Sequence, residues 1–88
     1  MGLKRRPNVI IYMQLLRLLL GGPRGPSSLQ QALGLNYPKF MEFADYLESR
    51  QLIRTEQQGD REIYHITAAG AELHRSWREV EERLGDVS

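Results

Sequence analysis

The first apolar segment, residues 8–20 (NVIIYMQLLRLLL), carries hydrophobic side chains around nearly the whole circumference of a predicted helix. Asn8 is suited to cap this helix after Pro7, and the GGP sequence that follows ends it. A helix that is apolar on almost every side is buried on more than one side. One small domain covers one side, so the second side predicts a dimer interface. The alternative is a central core helix in a monomer.

Polar and apolar positions then predict a second, shorter helix in the sequence SSLQQALGL. Ser28 and Gln31 have the spacing of a capping box, in which each side chain bonds a free backbone N–H at the start of a helix. Leu29, Leu33 and Leu35 supply the apolar contacts. Gly34 tolerates the left-handed backbone that commonly ends a helix, so a sharp turn is expected there.

A third helix is predicted immediately after this turn. Asn36 is a favourable N-cap, and Pro38 fits the first turn because no backbone donor is needed there. The residues expected on its buried face, at helical spacing, are Phe40, Phe43, Ala44 and Leu47.

The periodicity changes from helical to alternating after this third helix. Residues Ile53–Glu56 and Arg61–Ile66 are predicted as two strands, joined by the polar sequence QQGD. Thr67 is then expected to cap a last helix over residues 68–84. Its apolar residues lie 4, 3 and 4 positions apart, which is typical of a coiled-coil seam, and they are Leu73, Trp77, Val80 and Leu84. Pairing with a second chain is favoured, and packing on its own domain is the alternative.

Charge is distributed unevenly along a chain whose formal net charge is +1. Residues 1–26 contain five basic side chains and no acidic one, whereas the last helix is acidic. A basic segment at one end favours contact with a polyanion, and a solvated tail is the alternative interpretation. The 88 residues suffice for one domain, and the absence of Cys fits a reducing compartment.

The N-terminal KRR and the apolar run after it superficially resemble a signal peptide. Gln14 and Arg17 interrupt the run, and no small-residue cleavage site follows. The run is also shorter than the ~18 apolar residues of a membrane span. We therefore expect a soluble protein of the cytoplasm with no membrane partner.

Two stretches, LGLNYPKFMEFADYLESRQLI and REIYHITAAGAEL, resemble the winged helix-turn-helix family, in particular its small archaeal-type transcriptional regulators. The second contains the pattern Tyr-x-Ile-Thr-x-x-Gly-x-x-Leu, and the likeness extends over about residues 8–84. It implies an α+β, mainly helical fold with a two-stranded β-hairpin wing and a C-terminal dimerisation helix. The expected single domain, 1–88, comprises a basic arm (1–7), a winged-helix core (8–66) and the last helix (67–84).

The resemblance implies a homodimer that binds double-stranded DNA, with the third helix in the major groove and the hairpin along the backbone or minor groove. The DNA-binding residues it implies are Ser27, Ser28, Gln30, Asn36, Tyr37, Lys39, Glu42, Gln57, Gln58 and Arg61, with Arg5, Arg6 and Arg24 adding positive charge. The implied dimer interface consists of Ile11, Leu15, Leu18, Leu73, Trp77, Val80 and Leu84.

The third helix departs from this expectation because it carries Glu42, Asp45 and Glu48 against a single Lys39. Phosphates repel carboxylates, although one glutamate can accept a hydrogen bond from cytosine. The alternative function is therefore a winged-helix protein-interaction module, with a partner in the transcription machinery and no DNA binding.

Candidate catalytic and metal-binding residues are few. His65 and His74 are the only histidines, they lack the spacing of a metal site, and no Cys accompanies them. Neither Ser27 nor Ser28 has a marked base beside it, and the GGPRGP loop lacks the features of a phosphate-binding loop. We expect no cofactor, no metal and no enzymatic activity.

Overall fold

The computed structural model describes residues 8–84, which form four helices and one antiparallel hairpin. In chain order the elements are α1 (Asn8–Leu20), α2 (Pro26–Leu33), α3 (Tyr37–Ser49), β1 (Ile53–Gln58), β2 (Arg61–Ile66) and α4 (Ala68–Leu84). The predicted fold class, α+β and mainly helical with a two-stranded hairpin, is confirmed.

Helix α1 is the central element, because it contacts α2, α3, β2 and α4. Its buried side chains are Ile11, Met13, Leu15, Leu16 and Leu19. Val9 and Leu20, near the two ends of α1, are exposed. Much of the apolar circumference of α1 is thus used inside the single chain.

Helix α3 is held in place on its apolar face, as its spacing predicted. Phe40, Phe43, Ala44 and Leu47 are all buried. The ring of Phe40 meets the ring of Tyr64 on β2 edge to face, with centroids 5.6 Å apart. The Tyr64 hydroxyl points to the sulfur of Met41 at 3.8 Å. The hairpin is therefore packed directly against α3, and burial raises the pKa of Tyr64 to about 12.

The hairpin is tighter than the sequence indicated. Strand β1 continues to Gln58, which pairs with Arg61, so Gly59 and Asp60 alone form the turn instead of four residues. Gly59 has a φ of 66°, a left-handed conformation that glycine adopts without steric cost. The two extra pairs extend the wing away from the core.

The start of α4 lies against the chain segment that leaves α3. Thr67 caps α4 as predicted, since its Oγ1 accepts a hydrogen bond from the Gly70 N–H at 3.0 Å. The same hydroxyl donates to the Gln51 carbonyl at 2.7 Å, and the Thr67 N–H donates to the Leu52 carbonyl at 3.1 Å. These bonds fix the direction in which α4 departs.

The Asn36 cap gives a first testable prediction. The Asn36 side chain accepts a hydrogen bond from the Lys39 N–H at 2.9 Å. We expect Asn36→Ala to lower the free energy of unfolding by about 1 kcal/mol, because a donor at the start of α3 loses its partner. Chemical denaturation measures this. Asn36→Asp retains an acceptor and serves as the control, and equal losses in both variants would contradict a capping role.

Candidate nucleic-acid interface

The start of α2 is an uncapped helix N-terminus. Gly25 is the N-cap and Pro26 occupies the first turn, and no side chain bonds the free N–H groups there. The capping box predicted for Ser28 and Gln31 is therefore wrong, because the helix begins before Ser28. The freed amides carry the partial positive charge of a helix N-terminus, which suits an anion.

Arg24 joins this helix start to the wing. Its backbone pairs with Tyr64 through two hydrogen bonds, N–H to carbonyl at 3.2 Å and carbonyl to N–H at 2.8 Å. Its guanidinium donates to Ser28 Oγ at 3.1 Å. A residue that the sequence marked only for its charge is thus held beside the first turn of α2 by the hairpin.

An open cleft lies where the start of α2, the first residue of α3 and the wing converge. Five of the residues that the sequence assigned to DNA line it, namely Ser27, Ser28, Tyr37, Gln57 and Arg61. Gly25, Pro26, Gln31, Asp60 and Glu62 complete the lining. Arg61 forms no ion pair with any residue of the described range 8–84.

The other assigned residues lie outside this lining. Gln30 lies on α2 and Gln58 on the outer part of the wing, while Asn36 is occupied as the cap of α3. Lys39 Nζ lies 3.5 Å from Glu42 Oε1, and both side chains are more than half exposed. Arg5 and Arg6, with the rest of the arm, lie outside the described residues.

The carboxylates of α3 have different surroundings. Glu42 is matched by Lys39, and Glu48 accepts a hydrogen bond from the Thr55 hydroxyl on β1. Asp45 is exposed and has no ion pair within residues 8–84. The outward surface of α3 is consequently close to neutral at its start and acidic further along.

The assigned dimer residues separate into two groups. Leu15 has no exposed surface and Ile11 is 7% exposed, so both belong to the core of the single chain. On α4, Leu73, Val80 and Leu84 are 38%, 48% and 60% exposed, whereas Trp77 packs partly against the core. Leu18 is half-buried. The exposed apolar surface of α4, which we call the α4 seam, consists of Leu73, Val80 and Leu84.

The two histidines lie in different surroundings, one on the hairpin and one between helices. His65 Nε2 lies 2.8 Å from Glu56 Oε1 across the hairpin, without the alignment of a hydrogen bond. His74 is buried where α4 faces α1, a position that the sequence did not single out. Among residues 8–84, no three His, Cys, Asp or Glu side chains cluster as metal ligands would.

A helix-turn-helix followed by a two-stranded wing, with a further helix beside it, defines the winged-helix class of folds. The model of the winged helix-turn-helix family matches residues 5–84. The chain belongs to the winged helix-turn-helix family. No curated protein matches it in a sequence comparison.

Solved structures share the fold. The Mycobacterium bovis domain Mb0332, described as a homodimeric winged helix-turn-helix DNA-binding domain and a possible ArsR-family regulator, is 27% identical with a TM-score of 0.71. The match covers 80% of this chain and 66% of that one. Two archaeal proteins from Sulfolobus solfataricus show the likeness in fold. The DNA-binding protein Sso10a-2 is 24% identical, with coverages of 90% and 85% and a TM-score of 0.74. The transcriptional regulator BldR is 21% identical, with coverages of 90% and 63% and a TM-score of 0.73. The chain thus spans just under two thirds of the length of Mb0332 and of BldR.

No helix within residues 8–84 has both the length and the apolar character needed to cross a membrane.

Proposed function

We propose that this chain regulates transcription by binding double-stranded DNA as a homodimer. Family membership and the DNA-binding neighbours support the proposal. The observation that carries it is the cleft, because three separate elements bring polar groups to one face there. In this proposal the chain works in the cytoplasm, uses no cofactor and catalyses no reaction.

Each element of the cleft has a physical role in the proposal. The backbone amides of Ser27 and Ser28 lie in the uncapped first turn of α2 and donate to a phosphate. Tyr37, which is 54% exposed, begins the helix that enters the major groove. Arg61 projects from the wing and contacts the DNA backbone, as free guanidinium groups do. Gln57 and Gln58 contact DNA from the same wing.

The remaining contacts are assigned from position and charge. Arg24, Arg5 and Arg6 neutralise phosphates, while Gln30 contributes from α2 and Asn36 from the start of α3. The Lys39–Glu42 pair faces the base edges, where Glu42 accepts from cytosine N4 and Lys39 offsets its charge. The pair reduces the repulsion that a lone carboxylate would meet in the groove.

Binding to a labelled random-sequence duplex at 50 and 200 mM salt tests the proposal. We expect micromolar binding that falls at least about a hundredfold across this range, since each neutralised phosphate releases counterions. Arg61→Ala should weaken binding at every sequence and lower the slope of log K against log salt by about one.

Arg75→Ala is the matched control, because Arg75 is an exposed arginine of α4 outside the cleft. It removes the same charge and should leave the slope unchanged. Equal effects of the two substitutions would contradict the assigned surface and leave only a general influence of net charge.

The exposed carboxylates of α3 favour one alternative, a winged-helix module that binds a basic protein of the transcription machinery. In that case Glu42 and Asp45 would contact the partner and DNA would not bind. Absence of duplex binding at 50 mM salt would support this alternative. A partner could then be sought with the folded chain as bait, and Glu42→Gln should weaken its capture.

A further inference from the structure

A cavity of about 180 Å³ lies between α1 and α4. Its lining combines apolar side chains with positive charge: Ile10, Met13, Arg17, His74, Trp77 and Arg78. None of these residues lines the DNA cleft. The cavity is therefore separate from the DNA cleft.

The inner part of the cavity contains a buried polar side chain. His74 is 8% exposed. Burial, and then the charges of Arg78 and Arg17, lower the pKa of His74, so the ring is neutral at pH 7. A neutral imidazole has one N–H donor and one acceptor.

The outer part of the cavity is cationic. Arg17 is exposed and has no ion pair among the described residues. Arg78 has only long contacts, 3.9 Å from Nε to Glu81 and 3.8 Å from Nη2 to Glu82. Glu81 also lines the cavity and is the acidic group nearest to an incoming ligand. The two guanidinium groups, one from each helix, carry two positive charges against the single negative charge of Glu81, so the outer part of the cavity is positive overall.

We propose that this cavity binds a small aromatic carboxylate. The carboxylate is held by Arg17 and Arg78, and the His74 N–H donates a further hydrogen bond. The ring of the ligand lies among Ile10, Met13 and Trp77. Arginine suits this role because its planar donors match a carboxylate in two parallel hydrogen bonds.

The size of the cavity limits the ligand to about one ring. An apolar cavity of ~150 Å³ in another protein takes up benzene. A space of about 180 Å³ that opens toward two arginines thus accommodates a single ring with its carboxylate at the mouth. This site does not depend on the proposed function, because no residue of the DNA cleft contributes to it.

Benzoate is the probe, and Trp77 is the reporter because it is the single tryptophan of the chain. We expect benzoate to change Trp77 fluorescence with a saturable, one-site curve at constant ionic strength. Benzamide has the ring without the charge, and acetate has the charge without the ring. Each should bind at least about tenfold more weakly than benzoate, because each lacks one half of the recognition.

The variant Arg17→Gln should weaken benzoate at least about tenfold, as expected for loss of one charge-assisted hydrogen bond. Arg54→Gln removes an equal charge from β1, away from the cavity, and should leave the affinity unchanged. Absence of saturation with benzoate, or equal binding of benzoate and benzamide, would overturn the proposal. So would equal effects of the two arginine variants. Duplex binding of the same preparations, measured separately, tests the proposed function without affecting this result.

Discussion

Replacing Gly70 with alanine is expected to destabilise the protein by about 3 kcal/mol, the upper part of the range for overpacked sites. Gly70 lies in the first turn of α4 where that turn crosses the chain after α3. A Cβ at this position would overlap the carbonyl oxygen of Leu52 and approach Ile66 Cγ1 at 2.9 Å. The backbone carbonyl cannot move aside easily, because it also accepts the Thr67 N–H. Thermal unfolding should show a midpoint lowered by at least about 10 °C.

The sign of this effect distinguishes packing from helix propensity. In an unobstructed helix, alanine is more favourable than glycine by about 1 kcal/mol, so Gly70→Ala would then stabilise the protein. The reverse substitution at the exposed neighbour, Ala69→Gly, measures the propensity term in the same turn and should destabilise by about that amount. A higher midpoint for Gly70→Ala would mean that α4 does not lie this close to Leu52.

Local signals in the sequence accounted for most of the elements. Asn36 and Pro38 marked the start of α3, and the spacing of its apolar residues identified the buried face correctly. Each of these signals acts within one turn of helix, where the energetic preference is set by immediate neighbours. These local preferences are retained in the folded chain because the tertiary packing is compatible with them.

Features that depend on distant contacts were not predictable in the same way. Helix α2 begins at Pro26, where the Arg24–Tyr64 pairing fixes the preceding chain, and the local Ser28 signal loses to this arrangement. Gln51 adopts a φ of 62° at the end of α3, a position for which a glycine or asparagine would be the recognisable signal. Hydrogen bonds from Thr67 and to Glu48 hold that turn from both sides.

The candidate site shows the same division. The sequence assigned Ser27, Ser28, Tyr37, Gln57 and Arg61 to DNA contact, and the structure places them around one cleft. The sequence did not predict that Lys39 pairs with Glu42 and so offsets part of the negative charge of α3, since charge pairing depends on side-chain rotamers. His74 was unrecognised because nothing in the α4 pattern distinguishes a buried histidine from an exposed one.

We expect the α4 seam to join two chains in the proposed homodimer, so its disruption should convert the dimer into a monomer. Leu73, Val80 and Leu84 leave apolar area in water that the single chain does not cover. We expect the double variant Leu73→Glu, Val80→Glu to sediment with the mass of one chain, because it would place four carboxylates opposite one another in a symmetric interface. Trp77 is a poorer test, since it also packs on the core and its loss would confound association with stability.

Arg75→Glu is the matched control for this variant, because it changes the net charge by the same two units on an exposed part of α4 away from the seam. It should leave the sedimentation profile unchanged. The separation of association from folding also requires that both variants keep their helical circular dichroism. A duplex with two binding sites then tests whether dimerisation through α4 contributes to DNA recognition. If α4 joins the two winged helices, the monomeric variant should still bind a single site. It should lose the avidity of paired sites, a factor of about 10² or more. A monomeric variant with undiminished paired-site affinity would show that dimerisation through α4 is not part of DNA recognition.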